Sequence, residues 1–307
     1  MNKIHHITDS FVEDIQVYNN KIPQLGVGES GKTGILDLEL QRNENGRTVV
    51  TRQFFEAPLH LQHALYPYKT LPEMAYLYIL STSGGILQGD RYKTSVSLKN
   101  KSLAHMTTQG ATRIYGMSSN VAIHTMNIEL DEDCYFEYMP DQIIPYRDSR
   151  YYQEMNLKIH DNSTLVYSEI ITPGRVAMGE LFQYDVCYMK TSCRNQEGKI
   201  RFLENMKIEP KNQNINNTGM LGKYSIFGTI YVLTEKNTVR ELEKEIENRM
   251  KNLPEVLVGT STMPGDTGIT IRLLGNKTER ISDAVCDVAD TVRRRVIGIP
   301  FTKIRKC

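Results

Sequence analysis

The sequence contains one motif that would bind a nucleotide if its structural setting allowed it. Residues 26–33, from Gly26 to Thr33, read G-V-G-E-S-G-K-T and match G-x-x-x-x-G-K-[ST], in which backbone amides hold phosphates while Lys and Thr reach the terminal phosphate and magnesium. That chemistry requires a helix directly after the loop, because the helix N-terminus supplies amides and a favourable dipole. Residues 35–40 instead alternate between apolar and polar types, which predicts a strand. P-loop nucleotide binding by residues 26–33 is therefore the alternative function.

Histidine and cysteine bind borderline divalent metals strongly, but here they are too dispersed for a permanent site. Of the seven histidines, only His5-His6 and His60-x-x-His63 are close pairs, and no cysteine is near either pair. Prolines on both sides of the second pair predict an exposed turn. The five cysteines form no C-x-x-C pair, which indicates reduced thiols in a reducing compartment. We expect no tightly bound cofactor.

Hydrolytic chemistry is also disfavoured. The sequence contains no G-x-S-x-G elbow and no H-E-x-x-H pair. Glycosidases place two carboxyl groups across a sugar bond, usually in clefts with Trp platforms, and this sequence has no Trp. The residues therefore predict a protein that is not an enzyme.

Charge and hydropathy exclude two classes of partner. The 37 Lys and Arg residues almost cancel the 36 Asp and Glu residues, whereas phosphate binding needs a basic excess or stripe. No apolar run approaches the ~20 residues of a membrane span, and the first residues lack the apolar core of a secretory signal. We expect a soluble cytoplasmic protein that binds neither nucleic acid nor a membrane.

Most of the chain reads as short strands. Residues 35–40 alternate with period two, residues 43–46 form a turn cluster, and a second strand pattern follows. Similar runs recur along about two thirds of the sequence. Polar breaks at residues 100–102, 131–133 and 161–163 suggest strands in successive layers, although no strict repeat is present.

Two segments show helical periodicity. Thr238 and Glu241 form a capping box before an apolar stripe, and a second helix is expected from Ser282, as N-cap, to Gly298. The basic last turn of that second helix predicts either a solvated helix end or a docking patch for an acidic partner. We expect one domain over residues 1–307, with a flexible N-terminus at residues 1–20 and a mobile loop at residues 204–223.

Four further segments are rich in glycine, small polar residues and proline. Residues 84–90 contain three glycines and end in Asp90, which predicts a tight turn braced by a carboxylate. The others are residues 107–115 (T-T-Q-G-A-T-R-I-Y), residues 139–146 (M-P-D-Q-I-I-P-Y) and residues 174–180 (G-R-V-A-M-G-E).

In this order, these segments resemble the urease accessory protein UreD (UreH) family from about Gly34 to the end. The family patterns G-G-x-x-x-G-D and G-R-x-A-x-G-E match residues 84–90 and 174–180, and T-T-Q-x-A-T-K-x-Y matches residues 107–115 with Arg113 in place of Lys. The two proline motifs match more loosely. Residues 268–275 and the basic C-terminus add further similarity. Any one match is weak, but together and in register they are specific.

The resemblance implies a mainly β protein, with stacked β-strands in a β-helical body and two α-helices near the C-terminus. It also implies a non-enzymatic scaffold that binds apo-urease and UreF, with UreG joining through UreF, in a hetero-oligomer that helps UreG-dependent nickel insertion into urease. Nickel would then pass transiently. A transient path needs weak oxygen ligands, because tight binding would trap the ion.

Two sets of candidate residues follow from this resemblance. The carboxylates that could line a transient nickel path are Asp90, Glu137, Asp141, Asp148, Glu169 and Glu180. An equally simple role for Asp90 and Glu180 is to brace glycine turns through hydrogen bonds. The candidate partner-binding residues are Gly84, Gly85, Asp90, Arg113, Tyr115, Arg175, Arg293, Arg294, Arg295 and Arg305.

Overall fold

The computed structural model describes residues 13–18, 31–251 and 253–303, and its body is a β-solenoid of about four turns. The strands, in chain order, are β1 (Thr33–Arg42), β2 (Thr48–Glu56), β3 (Leu59–Leu61), β4 (Ala75–Ser81), β5 (Arg91–Lys99), β6 (Leu103–Thr108), β7 (Thr112–Ile114), β8 (Ala122–Leu130), β9 (Tyr135–Tyr138), β10 (Ile143–Pro145), β11 (Arg150–Ile159), β12 (Thr164–Ile171), β13 (Val186–Arg194), β14 (Ile200–Ile208), β15 (Ile226–Leu233), β16 (Val256–Thr262) and β17 (Ile269–Gly275). The helices are α1 (Lys236–Met250) and α2 (Thr278–Ile297). The expected mainly β fold is confirmed, including the two helices late in the chain.

The chain passes back and forth between two facing sheets, with one to three consecutive strands in each passage. Sheet A has the order β14-β13-β11-β8-β5-β1-β2, and sheet B has the order β16-β17-β15-β12-β9-β6-β4-β3. The central strands of each sheet are parallel, because the chain crosses to the other sheet before it returns. The register pairs Arg91 with Ile123 but Arg150 with Val186, so the length of a coil varies. This variation explains why the sequence shows no strict repeat.

The polar breaks found in the sequence stack on one edge of the solenoid. The Tyr135 N–H donates to the Ser102 carbonyl at 2.9 Å, and the Cys134 N–H donates to Ser163 Oγ at 3.0 Å. Lys101 and Asp133, both with positive φ, form an ion pair at 2.8 Å. The layered arrangement predicted from these breaks is confirmed.

The solenoid interior is filled by alternate side chains of both sheets. Leu36, Leu38 and Leu40 of β1 are fully buried while the residues between them are half-buried, as a half-exposed strand requires. Aromatic rings from successive coils stack along the interior, with centroids 5.5 Å apart for Tyr138–Tyr167 and 5.7 Å for Tyr167–Tyr231. This stacking adds side-chain contacts between coils that are already held together by backbone hydrogen bonds.

The helices cover the outer face of sheet B, and both begin earlier than expected. Helix α1 buries Val239, Leu242, Ile246 and Met250, which confirms its predicted stripe. It begins at Lys236 without a side-chain cap, so the Thr238–Glu241 capping box is wrong. Helix α2 begins at Thr278 rather than after Ser282, since Ile281 and Ala284 extend its buried face, and it ends as predicted at Gly298 in the left-handed region. No described helix is both long and apolar enough to cross a membrane.

A buried ion pair attaches α2 to sheet B. Arg293 is 1% exposed, and its guanidinium contacts the Glu137 carboxylate of β9 at 2.8 Å and 2.5 Å. His105 Nδ1 lies 2.7 Å from the same carboxylate, and the Tyr135 hydroxyl donates to it at 2.7 Å. Burial by itself raises the pKa of Glu137, but the hydrogen bonds from His105 and Arg293 and the Arg293 charge lower it to about 2. The sequence predicted a solvated end for this helix, and for Arg293 that prediction is wrong.

Two expected flexible segments are described in part. Residues 13–18 form a 3-10 helix, Glu13–Tyr18, in which Ile15 is buried, and the rest of residues 1–20 lies outside the described residues. The expected loop at residues 204–223 starts later than predicted, because residues up to Ile208 belong to β14. The single domain, the flexible N-terminus and the mobile loop stay predictions.

Arg293→Met should destabilise the fold strongly, because it leaves the Glu137 charge buried without its cation. Loss of one partner of a buried pair costs about 3–5 kcal/mol. The matched control is Arg295→Met, whose side chain is 37% exposed and pairs with exposed glutamates of α1, and it should change the free energy of unfolding by under about 1 kcal/mol. Denaturant unfolding of both variants measures the difference, and equal losses would contradict the assignment.

Candidate functional site

The four motif segments meet at one corner of the solenoid. We call this surface the motif corner: residues 83–90, 108–115, 140–147 and 173–182. Strand β7 pairs in parallel with β10, Ile86 bridges Ile114, and the Tyr146 N–H donates to the Ile114 carbonyl at 2.9 Å. Each coil turns at the same place, so segments far apart in sequence become neighbours in space.

Asp90 braces the first glycine turn. Its carboxylate is fully buried and accepts hydrogen bonds from Lys32 Nζ at 2.6 Å, the Lys32 N–H at 3.1 Å, the Leu87 N–H at 2.8 Å and the Tyr92 hydroxyl at 3.2 Å. These contacts use the carboxylate to hold backbone, which is the bracing role predicted from sequence.

The same contacts overturn the P-loop alternative. The residue after Lys32 begins strand β1, which pairs in parallel with β5, so no helix follows the loop. Lys32 is only 5% exposed and its ammonium is paired with the buried Asp90 carboxylate, so it is not free to bind a phosphate. Residues 26–30 of the motif lie outside the described residues.

A column of side chains crosses the motif corner, with one residue from each coil. A Cβ on Gly85 would lie 2.6 Å from the Arg113 carbonyl oxygen and 2.6 Å from the Tyr115 ring, so only glycine fits. The Tyr115 and Tyr146 rings are 5.0 Å apart, and the Arg175 guanidinium lies 4.1 Å from the centre of the Tyr146 ring. Stacked rings and a cation above a ring stabilise this surface.

Glu180 holds the last motif in place. It forms a two-pronged ion pair with Arg175, with Nε 2.8 Å from Oε2, and it also accepts the Arg147 N–H at 3.3 Å. The hydrogen bonds from Arg175 lower the pKa of Glu180. Like Asp90, this carboxylate fixes the shape of a turn.

A cavity of about 380 Å³ lies between the sheets behind the motif corner. Its mouth is formed by residues 83–86 and 108–113 with Asp141, and its inner wall includes Tyr92, His124, Gln153 and Glu169. The corner therefore frames the entrance to a polar pocket inside the solenoid.

Glu169 and His124 give this cavity its charge properties. Gln153 Nε2 donates to Glu169 at 2.8 Å, and the Tyr167 hydroxyl donates to the same oxygen. Burial raises the pKa of Glu169 to about 7 despite these hydrogen bonds. Burial lowers the pKa of His124 to about 4, and its Nε2 lies 3.0 Å from Thr94 Oγ1. Near neutral pH the cavity thus has a neutral imidazole and a carboxyl that gains or loses a proton.

The six candidate carboxylates do not form one cluster. Asp141 and Glu169 line the cavity, whereas Glu137 is bound to Arg293 and Asp148 pairs with Lys211 at 2.6 Å on the surface. Asp90 and Glu180 brace turns. Within residues 31–251 and 253–303, no three His, Cys, Asp or Glu side chains lie close enough to hold a metal ion together. His60 lies in strand β3, so the expected turn at His60-x-x-His63 is wrong.

Most candidate partner residues belong to two surfaces, but Asp90 is buried beneath its turn and Arg293 is buried against Glu137, so neither side chain is accessible to a partner. The members at the motif corner are Gly84, Gly85, Asp90, Arg113, Tyr115 and Arg175. Arg294 and Arg295 are exposed on α2 and pair with acidic helix residues, and Arg305 lies outside the described residues. Sequence reasoning missed Val176, Met178 and Leu181, which are exposed at the corner. The sequence does contain a signal for these residues. Apolar residues in or next to a glycine-bounded turn do not belong to the buried face of a long strand or helix, so they can be expected at the surface.

Comparison with known proteins agrees with this arrangement. The family model described as UreD urease accessory protein matches residues 32–306. A protein of Cenarchaeum symbiosum (strain A) named urease accessory protein UreD is 50% identical over 284 residues, which cover 92% of this chain and 99% of that protein. Urease accessory protein UreD 2 of Brucella suis is 35% identical over 92% of this chain and 93% of its own length. UreD of Photorhabdus laumondii is 31% identical over 92% of this chain and 88% of its own length.

Gly85→Ala should distort the motif corner, because the added methyl would overlap a backbone carbonyl and the Tyr115 ring. Such overpacking costs about 1–3 kcal/mol. Gly110→Ala is the matched control in the neighbouring turn, where nothing lies within 4 Å of the new methyl. Its stability should be within about 0.5 kcal/mol of the parent. Thermal unfolding compares the two, and a Gly85 variant as stable as the control would contradict this geometry.

Glu169 should make stability depend on pH. Its folded pKa of about 7 exceeds the ordinary 4.5, so its stabilising contribution is complete below pH 4.5 and disappears as pH rises to about 7. The loss is on the order of 3 kcal/mol, at ~1.4 kcal/mol per unit. Glu169→Gln should flatten this part of the profile, whereas Glu129→Gln, in an exposed ion pair with Lys158, should retain it. Denaturant unfolding at several pH values tests this, and parallel profiles for all three proteins would refute it.

Proposed function

The chain belongs to the UreD family of urease accessory proteins, and on that premise we propose that it is a non-catalytic scaffold in urease maturation. Its proposed partners are apo-urease and UreF, with UreG recruited through UreF, in a cytoplasmic hetero-oligomer. The described cysteines, Cys134, Cys187, Cys193 and Cys286, are free thiols, which supports a reducing compartment.

The observation that carries the proposal is the convergence of the four motifs on one braced surface. Asp90 and Glu180 are occupied in holding turns, and Tyr115, Tyr146 and Arg175 form a column across them. A surface whose polar groups are bound to its own backbone is suited to rigid recognition, because little conformational entropy is lost on binding. The strongest family motifs thus build a shape rather than a set of reacting groups.

We propose further that nickel, as cargo, passes through the cavity behind the motif corner. Asp141 at the mouth and Glu169 on the inner wall are the candidate carboxylates that line it. Single oxygen ligands surrounded by tyrosine and glutamine side chains bind an ion weakly, so it can leave again. The neutral His124 adds no opposing positive charge near neutral pH.

Urease activation in cells tests both parts of the proposal. Deletion of this chain should leave co-expressed urease without nickel, and the parent sequence should restore activity. Glu169→Gln should slow activation at limiting nickel by about tenfold, the effect of ~1.4 kcal/mol, and excess nickel should rescue it. Glu129→Gln on the outer face of sheet A is the matched control and should behave as the parent.

The possible failures are distinct. Normal urease maturation without this chain would overturn the scaffold function itself. Normal activation by Glu169→Gln at limiting nickel, with the deletion still inactive, would remove only the cavity from the nickel path.

A further inference from the structure

Three exposed apolar side chains project from one turn of the motif corner. Val176, Met178 and Leu181 are 58%, 69% and 51% exposed, and the short 3-10 helix Val176–Met178 buries none of its residues. A single exposed apolar residue is ordinary, but three within six positions form a patch that water solvates poorly. We call these three side chains the apolar turn.

The backbone holds the apolar turn in this exposed position. Gly174 has φ 133°, and a Cβ there would lie 2.8 Å from the Glu180 carbonyl oxygen, so only glycine can close the turn. Gly179 is left-handed, and the Phe182 N–H donates to the Pro173 carbonyl at 2.7 Å. The ion pair between Arg175 and Glu180 spans the turn. Phe182 itself has φ 52°, a costly conformation for a bulky residue.

This strain has a structural consequence. The braces hold the turn in a conformation in which all three apolar side chains are more than half exposed. Backbone strain retained beside an exposed apolar patch is typical of a surface prepared for a ligand.

A positively charged side chain lies beside the apolar turn. Arg147 is exposed, its own N–H is bound to Glu180, and its Nε donates to Gln183 at 2.7 Å. Arg113 is exposed in the preceding coil, at the cavity mouth. Among the described residues, neither guanidinium forms an ion pair within 4.0 Å, although the charge of Arg147 helps to lower the pKa of Glu180, whereas Arg175 pairs with Glu180 directly. Arg147 therefore places a guanidinium without a direct ion pair next to residues 180–183, at the edge of the apolar turn.

We propose that the apolar turn is the anchor of a protein-docking surface whose occupant is a partner segment with apolar side chains flanked by Asp or Glu. Such an arrangement places apolar contacts at the centre and complementary charges at the rim. This inference rests on the proposed scaffold function, in which the partner is a member of the urease maturation complex.

Binding measurements with substituted chains test the proposal. Purified UreF and purified apo-urease are immobilised separately, and the full chain is titrated over each. Met178→Asp should weaken binding to one of them by more than tenfold, because it removes an apolar anchor and repels the partner's carboxylates. Met178→Lys should weaken the same complex less, because it removes the apolar anchor but adds a positive charge that attracts the partner's carboxylates. Leu203→Asp is the matched control, at an equally exposed position (60%) on the edge strand β14.

Each outcome decides something. Unchanged binding by Met178→Asp to both partners, when the parent binds, would overturn the docking surface and leave the scaffold function intact. Equal losses for Met178→Asp and Leu203→Asp would also overturn it. Equal losses for the Asp and Lys variants would overturn the acidic character of the partner segment. If the parent binds neither protein, the scaffold function itself fails. Because Met178 is 69% exposed, all variants should retain the parent unfolding temperature, which circular dichroism checks.

Discussion

Parallel pairing between successive coils is the constraint on which the rest of the structure depends. Because each strand of the solenoid bonds to the strand one coil earlier, the chain must turn at the same position in every coil. The turns on one edge stack as a polar ladder, and those on the other edge stack as the motif corner. Residues such as Gly85 and Arg175, which belong to different motifs, become parts of one surface for this reason alone.

Buried charge has two distinct uses in this fold. Glu137 and Arg293 satisfy each other between sheet B and α2, and their neighbours Tyr135 and His105 complete the hydrogen bonding. Such a pair adds little net stability, since the desolvation of two ions offsets much of their attraction, but loss of either partner leaves a buried charge unpaired. Within the described part of the chain, Glu169 has no comparable cation in direct contact, so burial dominates and raises the pKa of its carboxyl to about 7. The first arrangement joins α2 to sheet B, and the second leaves a carboxyl in the cavity that can gain or lose a proton near neutral pH.

The motif corner combines rigidity with exposure. Asp90 and Glu180 each hold the backbone of a turn, and the turn that Glu180 braces contains the exposed Val176 and Met178. The same turns frame the cavity mouth at Asp141. A docked partner segment would therefore lie beside the entrance to the cavity, which links the proposed docking surface and the proposed cargo path within one assembly.

Local patterns in the sequence determined the strand alternation, the apolar stripe of α1, the left-handed end of α2 at Gly298 and the strand after Lys32 that excludes a P-loop. These features depend on interactions between residues that are close in the sequence, so the sequence alone is enough to predict them. Only the tertiary structure decided that Arg293 is buried against Glu137, that both helices start earlier, and that Asp141 and Glu169 share a cavity while Asp90 and Asp148 do not. The physical reason is that the partner of each charge comes from another coil or from a helix. Because the coils differ in length, no fixed spacing in the sequence identifies these partners.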